Sequence, residues 1–300
     1  VLAALLQVIL PVVIVAAVGM LLARNFRLDP DTIGKINLYG LTAPLAFDSL
    51  MKTKVTLSEG LVLGGGLLLV TALAAVVAWL ATFRSARGTQ RGVVGAVILG
   101  NNGNFGLPIA LLALGQAGLD QAMILFLFSL VVMFTVGPIL MGSGGGLLAG
   151  LKNFAKLPVT WAMALAAILR LLGWQLPVGV TRGIELLAGA AVPMVLLALG
   201  VQLAQSRRLH LTRPVLTAVA LRVVGVPLLA VGVARLLQMD ALSTSSLVLA
   251  SAMPTAVNAF MLAREYGSDP ETAASAVALS TVLSIATLAF VISVIPASVV

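Results

Sequence analysis

Apolar runs of about twenty residues recur along this chain from end to end, separated by short polar joints. A bilayer core about 30 Å thick is crossed by about 20 helical residues at about 1.5 Å each. That repeat leaves room for one architecture, an all-α polytopic membrane protein. Composition closes the soluble alternative. Of 300 residues, 60% are hydrophobic and 9% charged, with a mean hydropathy of +1.14, whereas a soluble domain carries about 25% charged residues. Eighteen Lys/Arg, ten Asp/Glu and one His cannot cover a water-facing surface of this size.

The formal charge of +8 does not point to nucleic acid, because the basic residues are scattered singly between apolar runs. Cysteine is absent, which excludes disulfides and thiolate metal sites; no metal or cofactor is expected. Val1 to Met20 has no cleavage signature and reads as a first span.

Ten spans are predicted, near 1–23, 32–51, 60–83, 91–114, 120–141, 157–174, 181–204, 214–237, 244–265 and 270–297. The glycine-rich joint Gly142-Ser143-Gly144-Gly145-Gly146 lies at mid-chain. It divides the chain into a first five-helix repeat (1–141), a cytoplasmic linker (142–156) and a second five-helix repeat (157–300). Twelve Lys/Arg fall in the joints after odd-numbered spans, among them Arg24, Arg84, Lys152, Arg207 and Arg208, and five in those after even-numbered spans. Since basic residues collect on the cytoplasmic side, both termini are expected outside. Five is an odd number, so two similar halves would be inverted. Inverted repeats with paired interrupted helices mark secondary transporters.

The interruptions are visible. Span 4 contains Gly100-Asn101-Asn102-Gly103-Asn104-Phe105-Gly106-Leu107-Pro108, and span 9 contains Ser251-Ala252-Met253-Pro254-Thr255-Ala256-Val257-Asn258. A proline in a helix interior costs about 3 kcal/mol or more, and glycine about 1 kcal/mol relative to alanine. Unwound backbone at membrane depth persists only where protein or a watery cavity satisfies it. Asparagine both donates and accepts hydrogen bonds. Asn101, Asn104, Thr255 and Asn258 are therefore the candidate substrate ligands, with Gly103, Gly106, Pro108 and Pro254 shaping the breaks. Half-helix ends pointing into a shared cavity would suit an anion.

Three stretches resemble the auxin efflux carrier family, the bacterial relatives of the plant auxin exporters: NNGNFGLPIALLALG in span 4, MPTAVNAFMLAREYGSDPETAASAVALST from Met253 to Thr281, and LTAPLAFDSL in span 2. The resemblance implies a ten-helix 5+5 inverted repeat with a scaffold part and a transport part. It implies helices 4 and 9 crossing at their prolines, and elevator-type movement. Small organic anions such as auxin-like acids, malonate or malate would be the substrates, carried in a bacterial inner membrane. In the plant relatives an asparagine seven residues before the span-4 proline lines the binding site; here that residue is Asn101, and the span-9 crossover proline corresponds to Pro254. The plant carriers' ionisable pair in span 3 has no counterpart between Leu61 and Phe83, and their long cytoplasmic loop is missing.

Ionisable residues inside spans are functional candidates. Asp48 and Glu185 lie near interfaces and could couple ions or pair with other charges. Arg222, two turns into span 8, could snorkel, pair with Glu265 or attract an anion. No reaction constellation is present, so no enzyme is expected. A sodium-coupled organic-anion symporter of the bile-acid type is the runner-up, and a channel comes next. The coupling ion, proton or sodium, is left open, as is a homodimer.

Overall fold

The helices begin where polar joints supply caps. The computed structural model describes residues 5–142, 146–204 and 209–295. Of the features singled out above, Ser143 to Gly145 and the basic pair Arg207 and Arg208 lie outside the described residues. Among the described residues the regular structure is helical, with no strand. Acidic residues that cannot enter lipid are spent on helix starts. Asp29 caps α2 (Pro30–Lys35), Asp240 caps α13 (Ala241–Ser251) and Asp269 caps α15 (Pro270–Ser293), each through its carboxylate. Thr56 and Glu59 form a reciprocal capping box at the start of α4 (Leu57–Ala81).

Among the described residues six helices are long and apolar enough to cross a membrane alone: Leu6–Asn25, Leu57–Ala81, Asn102–Met141, Val178–Ala204, Arg213–Leu236 and Pro270–Ser293. A seventh arises if the bent pair α8 (Gly146–Ala155) and α9 (Pro158–Leu172), 70° apart, is one span. Four departures separate this from the ten expected runs. Span 2 is α2, a widened turn at Ile36–Leu41 and α3 (Thr42–Lys52), and carries charge at both ends. Span 4 is cut after α5 (Arg87–Ile98), and its second half runs on into span 5 as α6 (Leu107–Phe134), kinked at Gly115 where φ is +66°. Span 9 is cut between α13 and α14 (Val257–Glu265). The linker expected over 142–156 is helical from Gly146 onward.

The helices pack in two groups. In one, α1 (Leu10–Asn25), α3, α9 and α10 (Val178–Ala204) make the main contacts with one another. α1 and α10 meet backbone to backbone: a Cβ at Gly19 would run into the Leu197 carbonyl, and one at Gly200 into that of Ala16. Small residues permit this approach in membrane helices. The second group joins α4, α5, α6, α11 (Arg213–Ala220), α12 (Val226–Leu236), α13, α14 and α15. Its core includes Leu63, Val93, Leu125, Leu247 and Ala273. The faces of α6 and the span-9 break, through Phe105, Met123 and Met253, share a core with the first group. The two interruptions therefore lie within the second group, against its neighbour.

Candidate functional site

Both broken helices unwind at the same place and pair there. Gly100 and Thr255 form an isolated antiparallel bridge. The Asn101 amide donates to the Pro254 carbonyl (2.8 Å) and the Ala256 amide to the Leu99 carbonyl (2.8 Å). Each break thus supplies partners for backbone groups that lipid would leave unsatisfied. Thr255, 1% exposed, reinforces the pairing: its hydroxyl donates to the Ala96 carbonyl (2.8 Å), and its amide donates to Ser280 Oγ (3.0 Å).

The crossing is not proline on proline. Pro254 stands in the second break, but Pro108 is the second residue of α6. There a missing N–H costs nothing and the fixed φ suits a helix start. Gly103 and Gly106 belong to the widened turn Asn102–Gly106 that leads into α6, and the Asn101 carbonyl accepts from the Phe105 (3.3 Å) and Gly106 (3.0 Å) amides. The first break is centred on Leu99 to Asn101.

Four helix ends converge here, and they divide by sign. The starts of α14 and of the turn before α6 present backbone N–H groups. Among the described residues those of Asn102, Gly103, Asn104, Val257 and Asn258 have no carbonyl partner, as the first turn of any helix requires. Asn101 sits among them, 8% exposed, and among the described residues no group hydrogen-bonds its side chain. Asn104 is half-buried and Asn258 exposed, its amide donating to Met133 Sδ (2.9 Å). Of the four candidate ligands, Asn101 and Asn104 hold uncommitted amides. The Thr255 hydroxyl is already engaged in holding the crossing together.

The opposite ends, the C-termini of α5 and α13, carry a feature that sequence reasoning misread. Arg222 neither snorkels nor pairs with Glu265. It is 3% exposed and lies in a widened turn at Leu221–Gly225 between α11 and α12. Its Nε donates to the Met253 carbonyl (2.7 Å), Nη1 to that of Val97 (2.9 Å) and Nη2 to that of Ala250 (3.5 Å). Gly100 leaves no space beyond this guanidinium: a Cβ there would come within 2.9 Å of Cζ.

Asp48 and Glu185 turn out to be charge partners. Lys52 bridges them at 2.7 and 2.8 Å, tying α3 to α10 at a half-exposed end. Asp120, which the sequence reading did not single out as a ligand, is buried in α6 and accepts from Ser49 Oγ of α3 (2.8 Å) and Gln116 Nε2 (2.9 Å).

The family described as membrane transport protein matches residues 147–292. An uncharacterized transporter of Methanothermobacter thermautotrophicus is 30% identical over 266 residues, covering 87% of each chain. The chain belongs to this membrane transport protein family, that of the auxin efflux carriers. A second relative of this carrier, from Rhizobium meliloti and named "Putative malonate transporter", is 30% identical over 216 residues, 68% of this chain and 66% of that one. Another uncharacterized transporter, from Methanocaldococcus jannaschii, is 28% identical over 204 residues, covering 66% of each chain. The carrier is a multi-pass membrane transporter rather than an enzyme, as the sequence led us to expect.

Proposed function

We propose that this transporter carries small organic anions, malonate-like dicarboxylates first among them, and binds the substrate carboxylate at the crossing of its two broken helices. One observation carries the reading: two helix N-termini and the uncommitted Asn101 amide meet at a crossing whose opposite ends are already neutralised. A carboxylate there accepts from the Asn101 side chain and from first-turn N–H groups, and meets the partial positive charge of two helix starts. The relative named for malonate favours a dicarboxylate. Binding of a series of mono- and dicarboxylates to the purified protein, with uptake into proteoliposomes, tests the reading. Saturable binding of malonate or a close relative is expected. No binding by any small carboxylate, with amines or neutral solutes bound instead, would overturn it.

In this reading the chain forms ten spans as two inverted halves, with α6 supplying both the second half of span 4 and span 5. The group containing α1, α3, α9 and α10 acts as scaffold, and the other group slides against it as an elevator. The Ser49–Asp120 bond is then a polar tie that breaks and reforms across their boundary. The resemblance to the bacterial carriers favours a bacterial inner membrane, and the bias of basic residues favours both termini outside. Because the chain lacks cysteine, Asn25→Cys and Gln175→Cys, both at exposed positions, give a clean labelling test. They are expected to react with an impermeant maleimide from opposite faces, Asn25→Cys from the cytoplasm. Reaction of both from one face would remove the inverted repeat from the account.

A further inference from the structure

We infer that Arg222 is the resident cation of the crossing, a positioning residue that holds the carbonyl ends of both broken helices so that the anion site assembles without a bound metal cation. The inference rests on the crossing being the anion site, and deepens that reading by saying what balances it.

A buried guanidinium with no carboxylate partner is costly unless something else offsets its charge. Among the described residues the ion pairs are those of Lys52 alone. What faces Arg222 instead is the carbonyl end of α5, through Val97, and the carbonyl end of α13, through Ala250 and Met253. Each helix C-terminus carries roughly half a negative charge, so two together offset roughly one guanidinium. In transporters with interrupted helices, unwound carbonyls and half-helix C-termini are where a coupling cation is coordinated. Here a side chain of the protein takes that place.

Shape agrees with charge. The planar fork of arginine reaches acceptors on two helices at once, which a lysine ammonium on its flexible stem does not reproduce. Gly100 leaves the room that the guanidinium fills. Beside it lies a chamber of about 20 Å³, lined in part by Thr71, Asn102, Ser129 and Ser251, with room for a single water. Asn102 Oδ1 and Ser251 Oγ have no protein partner there. A water on those two atoms is compatible with the neighbouring positive charge, whereas a sodium ion is not.

The test uses the full-length purified protein and reads thermal stability, which needs no substrate. Wild type is expected to melt at the same temperature in sodium, potassium and N-methylglucamine chlorides of equal ionic strength. Arg222→Ala is expected to melt roughly 5–10 °C lower and to recover in low-millimolar guanidinium but not in equimolar methylammonium. Arg222→Lys is expected to stay destabilised. Sodium-specific stabilisation of wild type would overturn the inference, and that measurement stands even if Arg222→Ala does not fold. So would an Arg222→Ala protein that melts like wild type, or one that guanidinium does not restore. Guanidinium rescue in a protein that binds no small carboxylate would instead keep the resident cation and remove the proposed substrate class.

Discussion

Gly100→Ala is expected to lower carboxylate affinity about hundredfold and to lower the melting temperature as well. The new methyl group falls on the guanidinium of Arg222, 2.9 Å from Cζ. The side chain cannot simply swing away, because its Nε and Nη1 are held by carbonyls of two different helices. Moving it forfeits charge-assisted hydrogen bonds of roughly 1.5–3 kcal/mol each. The crossing then spends less time in its competent arrangement, and apparent affinity falls with that fraction. A loss of about 3 kcal/mol corresponds to about hundredfold. Gly65→Ala is the matched control: its Cβ would meet nothing within 4 Å, and alanine is the better helix former by about 1 kcal/mol. Wild-type affinity in Gly100→Ala would mean that Arg222 does not shape the site.

The larger effect is expected at Asn101. Asn101→Asp keeps the size of the side chain but sets a carboxylate against the substrate's own. Two like charges about 4 Å apart repel by about 4 kcal/mol at an effective dielectric of about 20, which is about a thousandfold in affinity. Asn101→Ala removes only the donor, and the loss of roughly 1.5–3 kcal/mol predicts about tenfold to hundredfold weaker binding. Its backbone bonds to Pro254 and from Phe105 and Gly106 do not involve the side chain, so the crossing itself should survive. Equilibrium binding of labelled malonate checks the order Asp, Ala, wild type, with Asn25→Ala at an exposed helix end as the unaffected control. A reversed order, with Ala weaker than Asp, would argue for a cationic or neutral substrate.

The parts of this account legible in the sequence are those where a residue type is costly in lipid. Asn101 to Asn104 and the interleaved glycines mark unwound backbone, because nothing else justifies three asparagines in an apolar run. Pro254 marks its break correctly. Pro108 misleads by seven to nine residues, since a proline at a helix start and one at a helix break look alike in sequence. The residue that marks the first break is Gly100, whose role is space for a side chain 122 positions further on. That relation has no local signature.

Arg222 was misread for the same reason. A lone arginine in a span suggests an acidic partner, an escape to the interface or an anion to attract, and its actual partners are backbone carbonyls that every residue possesses. Asp48 and Glu185 could be read as candidates for pairing, but Lys52 as their common partner required α3 and α10 to be placed side by side. The helix at Gly146–Ala155 was hidden behind a run of glycines that reads as a joint. Span count suffers from the opposite problem. The sequence divides spans 4 and 5 between 114 and 120, close to the kink at Gly115, whereas helix length and hydropathy run them together as Asn102–Met141.

The central claim is tested most directly by locating a bound substrate. A structure of the full chain determined with malonate is expected to place one carboxylate about 2.7–3.0 Å from the Asn101 side-chain amide, beside the first-turn N–H groups of the two half-helices, with Arg222 still on the carbonyls of Val97 and Met253. Malonate bound away from Asn101 and Thr255, with the crossing unchanged, would contradict it.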